Sequence, residues 1–238
     1  MEVIAFIPAR SGSTRLKNKN VLLVKKRPLF FWSVKTAIES KLFNKILFSS
    51  DSKKYFSKLI YFLRKDKIPI NKLIFDHRNS EEAGNKKKIF DYIKKDLLKK
   101  YKFKKNDLLV QMLPTAPLRT KKTIKDAIFL AIHKKKNIFT ACEYDFHLSF
   151  ALSLNSKNKW TRVFKNSPLV TGNTQSQSQK KYFRPNPLAN CLWIKNIKTK
   201  NRSIYENALV LCTKKTEALD IDDYEDFSLV KLLLEEKK

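Results

Sequence analysis

Two groups of residues in this chain have the types and spacing for chemistry on a phosphorylated ligand, and they lie far apart in sequence. The first is Arg10-Ser-Gly-Ser13-Thr-Arg15-Leu-Lys-Asn-Lys19-Asn20, a small, polar, cationic stretch directly after an apolar run. Cationic side chains, hydroxyls and loop amides suit an anion such as phosphate. The stretch lacks the Gly-Lys-Ser/Thr ending of a Walker loop and carries no Gly-x-Gly-x-x-Gly. The second group is Asp220-Ile221-Asp222. In an extended segment residues two apart point the same way, so both carboxylates project together while Ile221 turns inward. Clustered carboxylates repel unless a cation neutralises them, and Mg²⁺ arriving with a triphosphate does so. The neighbouring Asp223, Glu225 and Asp226 suit the positive end of the closing helix. Capping that helix does not require Asp220 or Asp222.

The elements around these groups follow from periodicity. Val3 to Ile7 is short, apolar on both faces and rich in β-branched residues, which reads as a buried parallel strand stopped by Pro8. A ligand-binding loop belongs at the carboxyl end of such a strand. A helix is expected over 29–40, with Pro28 in its first turn. A strand over 45–50 and a helix towards Lys65 follow, with Asp51 and Ser52 as capping groups. Leu73 to Phe75 reads as a short strand, and Ile89, Tyr92, Ile93 and Leu97 mark one face of a helix. A strand from Asp107 ends at Pro114. Thr120 caps the helix through Ile124, Ala127, Ile128 and Ala131. Strands are expected over 137–142, 189–194 and 208–213, before a final helix over 224–236. Strands alternating with helices argue for an α/β fold, a mainly parallel sheet with helices on both faces.

Composition narrows the classes. The 238 residues suffice for one domain with a core. The net charge of +29 comes from 42 Lys and only 9 Arg, scattered along the chain. Base reading relies on Arg, so no specific nucleic-acid partner is expected, only a general affinity for polyanions. Cys142, Cys191 and Cys212 are far apart and odd in number, which suits buried apolar residues in a reducing compartment. No apolar stretch approaches the ~18–20 residues that span a membrane. The apolar start is too short for a signal peptide, and a cytoplasmic protein with no membrane partner is expected.

The chain resembles the acylneuraminate cytidylyltransferases, which join CMP to sialic acids and related keto-sugar acids. The resemblance rests on three stretches. Ile-Pro-Ala-Arg10, followed by Ser13, Lys19 and Asn20, matches the family's opening, with Ser11-Gly12 where relatives have Gly-Gly. Val-Gln111-Met-Leu113-Pro-Thr-Ala-Pro-Leu-Arg119 resembles the family's Leu-Leu-Gln-Pro-Thr-Ser-Pro-Leu-Arg. Leu113 stands where the family has Gln, and strand alternation puts Gln111 on the same side as Leu113. Asp220-Ile-Asp222 matches the family's metal pair. Ala189-Asn-Cys-Leu-Trp-Ile194 takes the place of a family strand that contains Gly, and Asn85-Lys86-Lys87-Lys88 departs from the family pattern.

What the resemblance implies is a nucleotidyltransferase, Rossmann-like sheet in a single domain over 1–238, with an antiparallel dimerisation and sugar-facing excursion at about 143–187. It implies catalytic roles for Arg10 and Lys19, nucleotide contacts for Arg10, Ser13, Asn20 and Arg78, and sugar contacts for Gln111, Arg184 and Asn186. Asp220 and Asp222 would hold Mg²⁺. The expected substrates are CTP and an acidic nine-carbon or related keto-sugar, in a homodimer. The alternatives are another sugar nucleotidyltransferase, and a non-catalytic basic protein that binds polyanions on the same fold.

Overall fold

The computed structural model describes the chain apart from residues 85–86, 176, 178, 198–199 and 237–238. Asn85 and Lys86 of the departing segment therefore lie outside the described residues, as do Ser176 and Ser178 of the excursion. In chain order the first elements are β1 (Val3–Pro8), β2 (Leu23–Val24), β3 (Arg27–Pro28), α1 (Leu29–Ser40), β4 (Lys45–Ser50), α2 (Lys53–Lys65), β5 (Leu73–His77) and α3 (Ser80–Ala83). Next comes α4 (Ile89–Tyr92), which continues through a π-helical turn, Ile93–Leu97, into α5 (Leu98–Tyr101). Then follow β6 (Leu108–Gln111), α6 (Lys121–Lys134), β7 (Asn137–Glu143), β8 (Leu152–Leu154), β9 (Trp160–Arg162), α7 (Pro168–Thr171), β10 (Phe183–Trp193), β11 (Ala208–Cys212) and α8 (Tyr224–Glu236).

Seven strands form one sheet in the order β11-β7-β10-β6-β1-β4-β5. β1 lies at its centre, parallel to β4 on one side and to β6 on the other. The strand order reverses there, so the carboxyl ends of β1, β4 and β6 open a crevice of the kind that takes ligands in α/β sheets. Alternate residues of β1 face opposite layers. Val3, Ala5 and Ile7 pack with α1, α2 and α6, whereas Ile4 and Phe6 pack with Phe90, Ile93 and Leu97. This explains why the strand is apolar on both faces. Helices therefore cover both sides, as expected.

Two local expectations are corrected. The 189–194 strand begins six residues earlier, at Phe183, and β10 runs antiparallel to both β6 and β7. Pro187 lies within the register shift between Asn186 and Cys191, whereas Pro185 stays in register opposite Ala141. The second correction is at α2, where Ser52 alone is the cap, accepting the Tyr55 N–H at 3.2 Å. Asp51 is turned back to the loop after β1.

The excursion leaves the sheet at the end of β7 and returns at the start of β10. It carries the antiparallel pair β8–β9, whose Leu152, Leu154 and Trp160 are exposed. Of the cysteines, Cys142 and Cys191 are buried and Cys212 is exposed. The exposure corrects the expectation of three core residues, because β11 is the edge strand of the sheet. Among the described residues no helix is long and apolar enough to cross a membrane.

Candidate active site

The loop after β1 is held by short contacts to its own residues and to β4. Ala9 N–H donates to the Ser49 carbonyl at 2.8 Å. The Asn20 amide nitrogen donates to the Arg10 carbonyl at 2.8 Å, and Ser13 Oγ accepts the Lys19 N–H at 2.8 Å. Asp51 accepts both the Ser11 N–H at 2.8 Å and the Ser11 hydroxyl at 2.5 Å. Burial pushes the Asp51 carboxyl upward, but the Ser11 hydrogen bonds and the Arg78 charge outweigh it and hold it below its ordinary value. These contacts tie the basic loop to itself and to the end of β4. They also refine two expected roles, since Ser13 and Asn20 shape the loop as well as line the cavity.

That cavity, of about 310 Å³, is lined by Arg10, Ser13, Arg15, Lys19, Asn20, Arg78 and the turn Leu113-Pro114-Thr115. All the residues expected to meet the nucleotide are therefore together. Arg78, at the end of β5, is buried and lies over the Tyr92 ring at 5.5 Å. Burial pushes its guanidinium below the ordinary value and Arg10 pushes the same way, against Tyr92, Asp76 and Asp51. Two cations sharing one crevice favour an anion there.

Arg78 rests on a buried support that no motif announces. Asp76, fully buried on β5, accepts from Ser49 Oγ at 2.6 Å, Tyr92 Oη at 2.8 Å, Lys100 Nζ at 2.7 Å and Tyr101 Oη at 3.2 Å. The carboxylate is thus paired and hydrogen-bonded, as a buried charge requires. Burial first, and then the Asp76 charge, push both tyrosine hydroxyls upward.

Of the carboxyl-terminal pair, Asp222 meets residues of this crevice, whereas Asp220 lines a second cavity. Lys19 Nζ lies 3.3 Å from Asp222 Oδ1 and donates to the Ile221 carbonyl at 2.5 Å. Arg15 Nη1 lies 2.7 Å from Asp222 Oδ2. Ile221 is fully buried between the two carboxylates, as alternation requires. Its N–H donates to the Thr115 carbonyl at 2.9 Å, which ties the pair to the turn after β6. Burial pushes the Asp220 carboxyl upward and Asp222 adds to this, opposed by Thr115 and Lys19. The Thr115 hydroxyl nonetheless stands outside hydrogen-bonding geometry, and Asp220 Oδ1 is buried with no partner.

The second cavity, of about 350 Å³, adjoins the first across Leu113 and Ile89, which line both. Gln111, Asn186 and Asp220 line it, so two of the expected sugar contacts are together. Arg184 lines neither cavity; it stands on β10 opposite Cys142, at the base of the excursion. Asn190 lines the second cavity as well. Six of the buried side-chain polar atoms that lack a hydrogen-bond partner among the described residues belong to these two cavities. Asn20, Arg78 and Thr115 line the first, and Gln111, Asn190 and Asp220 the second, the unpartnered atom of each lying beneath the cavity surface.

Arg119 holds the wall between them. Wholly buried, it donates to the carbonyls of Leu188 (2.5 Å), Leu113 (2.8 Å) and Pro187 (2.7 Å) and to Ser33 Oγ (2.7 Å). Burial lowers its guanidinium to about 9, with Asp220 opposing. The role explains the Arg at the end of the Pro-Thr-Ala-Pro-Leu-Arg word as a structural strut.

A doubly covered, mainly parallel sheet with a cationic crevice at its switch point defines a nucleotidyltransferase fold. The solved CMP:2-keto-3-deoxy-manno-octonic acid synthetase complexed with CTP shares it, with a TM-score of 0.68, 10% identity and 100% of both chains covered. Residues 4–62 match the family model described as Cytidylyltransferase. The N-acylneuraminate cytidylyltransferase of Escherichia coli O18:K1:H7 is 28% identical over 247 residues, 100% of this chain and 53% of that protein. The CMP-N,N'-diacetyllegionaminic acid synthase of Legionella pneumophila is 26% identical over 248 residues, 99% of this chain and 97% of that one. The chain is thus similar to the acylneuraminate cytidylyltransferases. It spans about half the length of the E. coli relative.

Proposed function

We propose that the protein transfers CMP from CTP to the anomeric hydroxyl of an acidic keto-sugar, releasing pyrophosphate. One observation carries the reading: Lys19 of the amino-terminal loop meets Asp222 at 3.3 Å beside a crevice that also holds Arg10 and Arg78. In the reaction the sugar oxygen bonds to the α-phosphorus as the bond to the β-phosphate oxygen breaks. Negative charge grows on the α-phosphate oxygens and on the departing pyrophosphate. The work of the site is positioning and neutralisation. Arg10 and Arg78 bind the phosphates, Ser13 and Asn20 hold the loop against the nucleotide, and Lys19 faces the reacting centre.

Asp220 and Asp222 fit a hard divalent cation. One offers a buried oxygen with no partner, the other lies beside it, and a triphosphate provides further oxygen ligands. Mg²⁺ bound there supplies neutralisation of phosphate charge. The acid would lie in the second cavity, on the far side of Leu113, with Gln111 and Asn186 as its contacts. The same reading includes a homodimer, because the exposed apolar pair β8–β9 has no stability of its own as a two-stranded ribbon. A cytoplasmic location agrees with an intracellular nucleotide substrate and with three unpaired cysteines.

The test is pyrophosphate release with Mg²⁺ and each of CTP, UTP, ATP and GTP, with N-acetylneuraminic acid and 2-keto-3-deoxy-manno-octonic acid as acceptors. Release with CTP and an acid is expected. Release only with a sugar phosphate would give the neighbouring nucleotidyltransferase reading. No release, together with salt-steep polyanion binding, would give the non-catalytic one.

A further inference from the structure

Arg78 reaches the first cavity from the end of β5 with little hydrogen bonding to fix its direction. Its Nη2 meets the Ser49 carbonyl at 3.3 Å, and its buried Nε has no partner among the described residues. What the guanidinium lies on is the ring of Tyr92, 5.5 Å from Cζ to the centroid. That ring is fully buried and stacks with Phe6 of β1 at 6.2 Å. Its hydroxyl donates to Asp76 Oδ2 at 2.8 Å, and Lys100 Nζ holds the other carboxylate oxygen at 2.7 Å. A π-helical turn allows this convergence. In an unbroken α-helix Tyr101 would stand about half a turn away from Tyr92. The wider turn at Ile93–Leu97 takes up one extra residue, so Lys100 and Tyr101 come round to the carboxylate that Tyr92 meets.

We infer that Tyr92 is a positioning residue for the nucleotide: its ring, fixed by Asp76, aims the Arg78 guanidinium into the first cavity. The inference rests on the cytidylyltransferase reading and deepens it. A cation over an aromatic face is attracted by the ring quadrupole, most strongly where water is excluded. A hydroxyl that donates to a carboxylate is polarised by it, which enriches the ring face that the cation meets. Side chains locked by packing and by hydrogen bonds behind a site hold its binding groups within the tolerance that function needs. Tyr92 lines neither cavity, so its effect on CTP passes through Arg78.

The test is a double-mutant cycle of Tyr92 and Arg78, read as the affinity for CTP with Mg²⁺ by calorimetry, with no acceptor present so that no turnover occurs. Arg78→Ala should weaken CTP binding by about tenfold or more, the scale of a hydrogen bond to a charged group. Tyr92→Leu should weaken it about fivefold in the wild type. Beside Arg78→Ala the same change should cost less than about twofold, because the two residues act as a unit. Tyr92→Phe, which keeps the ring, should recover most of the loss. If Tyr92→Leu does not fold, the cycle is run with Tyr92→Phe, expected at about twofold in the wild type and at no change beside Arg78→Ala. Equal losses from the Tyr92 change in both backgrounds overturn the inference, since a purely structural role adds. No loss in Tyr92→Leu, or none in Arg78→Ala, overturns it too. No affinity for CTP in the wild type defeats the nucleotide reading itself, whereas CTP affinity with additive losses defeats only the role of Tyr92.

Discussion

Lys19 Nζ and Asp222 Oδ1 stand 3.3 Å apart although 203 positions separate the two residues. The contact closes the chain's two chemically equipped segments onto one crevice. In the proposed reaction the two have different tasks towards a metal-triphosphate, and here they pair with each other. The first prediction concerns this lysine. Lys19→Ala should lower kcat by ~10²–10³, by analogy with removing one preorganised donor. Steady-state kinetics at saturating CTP check it, and near-normal turnover would reject its place at the reacting centre.

Replacing both carboxylates, Asp220→Asn with Asp222→Asn, should abolish Mg²⁺-dependent pyrophosphate release. A titration of activity against Mg²⁺ is the measurement, and an unaltered metal dependence would contradict the pair as ligands.

Asp51 holds the basic loop through Ser11, so Asp51→Ala should raise KM for CTP by about tenfold, the scale of a small misplacement in a positioned site. The residue also contributes to acid stability. Its folded-state value lies below the ordinary 3.8, so its contribution is present above pH 3.8 and is lost as pH falls through the lower folded value. Thermal melts across that window should show a shallower acid loss in Asp51→Ala than in the wild type. Parallel curves would show that Ser11 is held by other means.

Leu113 lines both cavities without a polar group of its own. Leu113→Gln should change KM for the acid by about tenfold in one direction or the other, an amount typical of one pocket contact, and leave KM for CTP alone. A change confined to CTP would place Leu113 on the nucleotide side only.

The apolar β8–β9 pair predicts self-association. Sedimentation should give a particle of two 28.0 kDa chains, and Trp160→Lys with Leu154→Lys should shift it to one. A wild-type monomer at working concentration would remove the dimer from the reading.

Much of this was legible in residue order because it depends on local period. β1, α1 and β4 fall where alternation and helical spacing placed them, and the four residues expected at the nucleotide share one cavity with Lys19. What escaped notice depends on contacts between distant segments. The reversed direction of β10 is decided by its neighbours β6 and β7, while Pro185 and Pro187 hid its first half. Asp51 read as a helix cap because the Asx-Ser pattern is local, whereas its partner Ser11 is 40 residues away. Asp76 and Asn190 belong to no motif. Only strand register and burial reveal that four donors surround the first and that Gln111 faces the second. Arg119 was visible as part of a word, but its use as a strut required the carbonyls of Leu113, Pro187 and Leu188 to be in place.

The reversed strand gives two duties to one piece of backbone. β10 starts at the root of the protruding hairpin, with Phe183 and Arg184, and seven residues later delivers Asn190 to the floor beside Gln111. β10 therefore joins the base of the hairpin to the second cavity, while the first cavity is built from the segments after β1, β5 and β6. In the proposed dimer, separating the subunits should disturb the second cavity before the first.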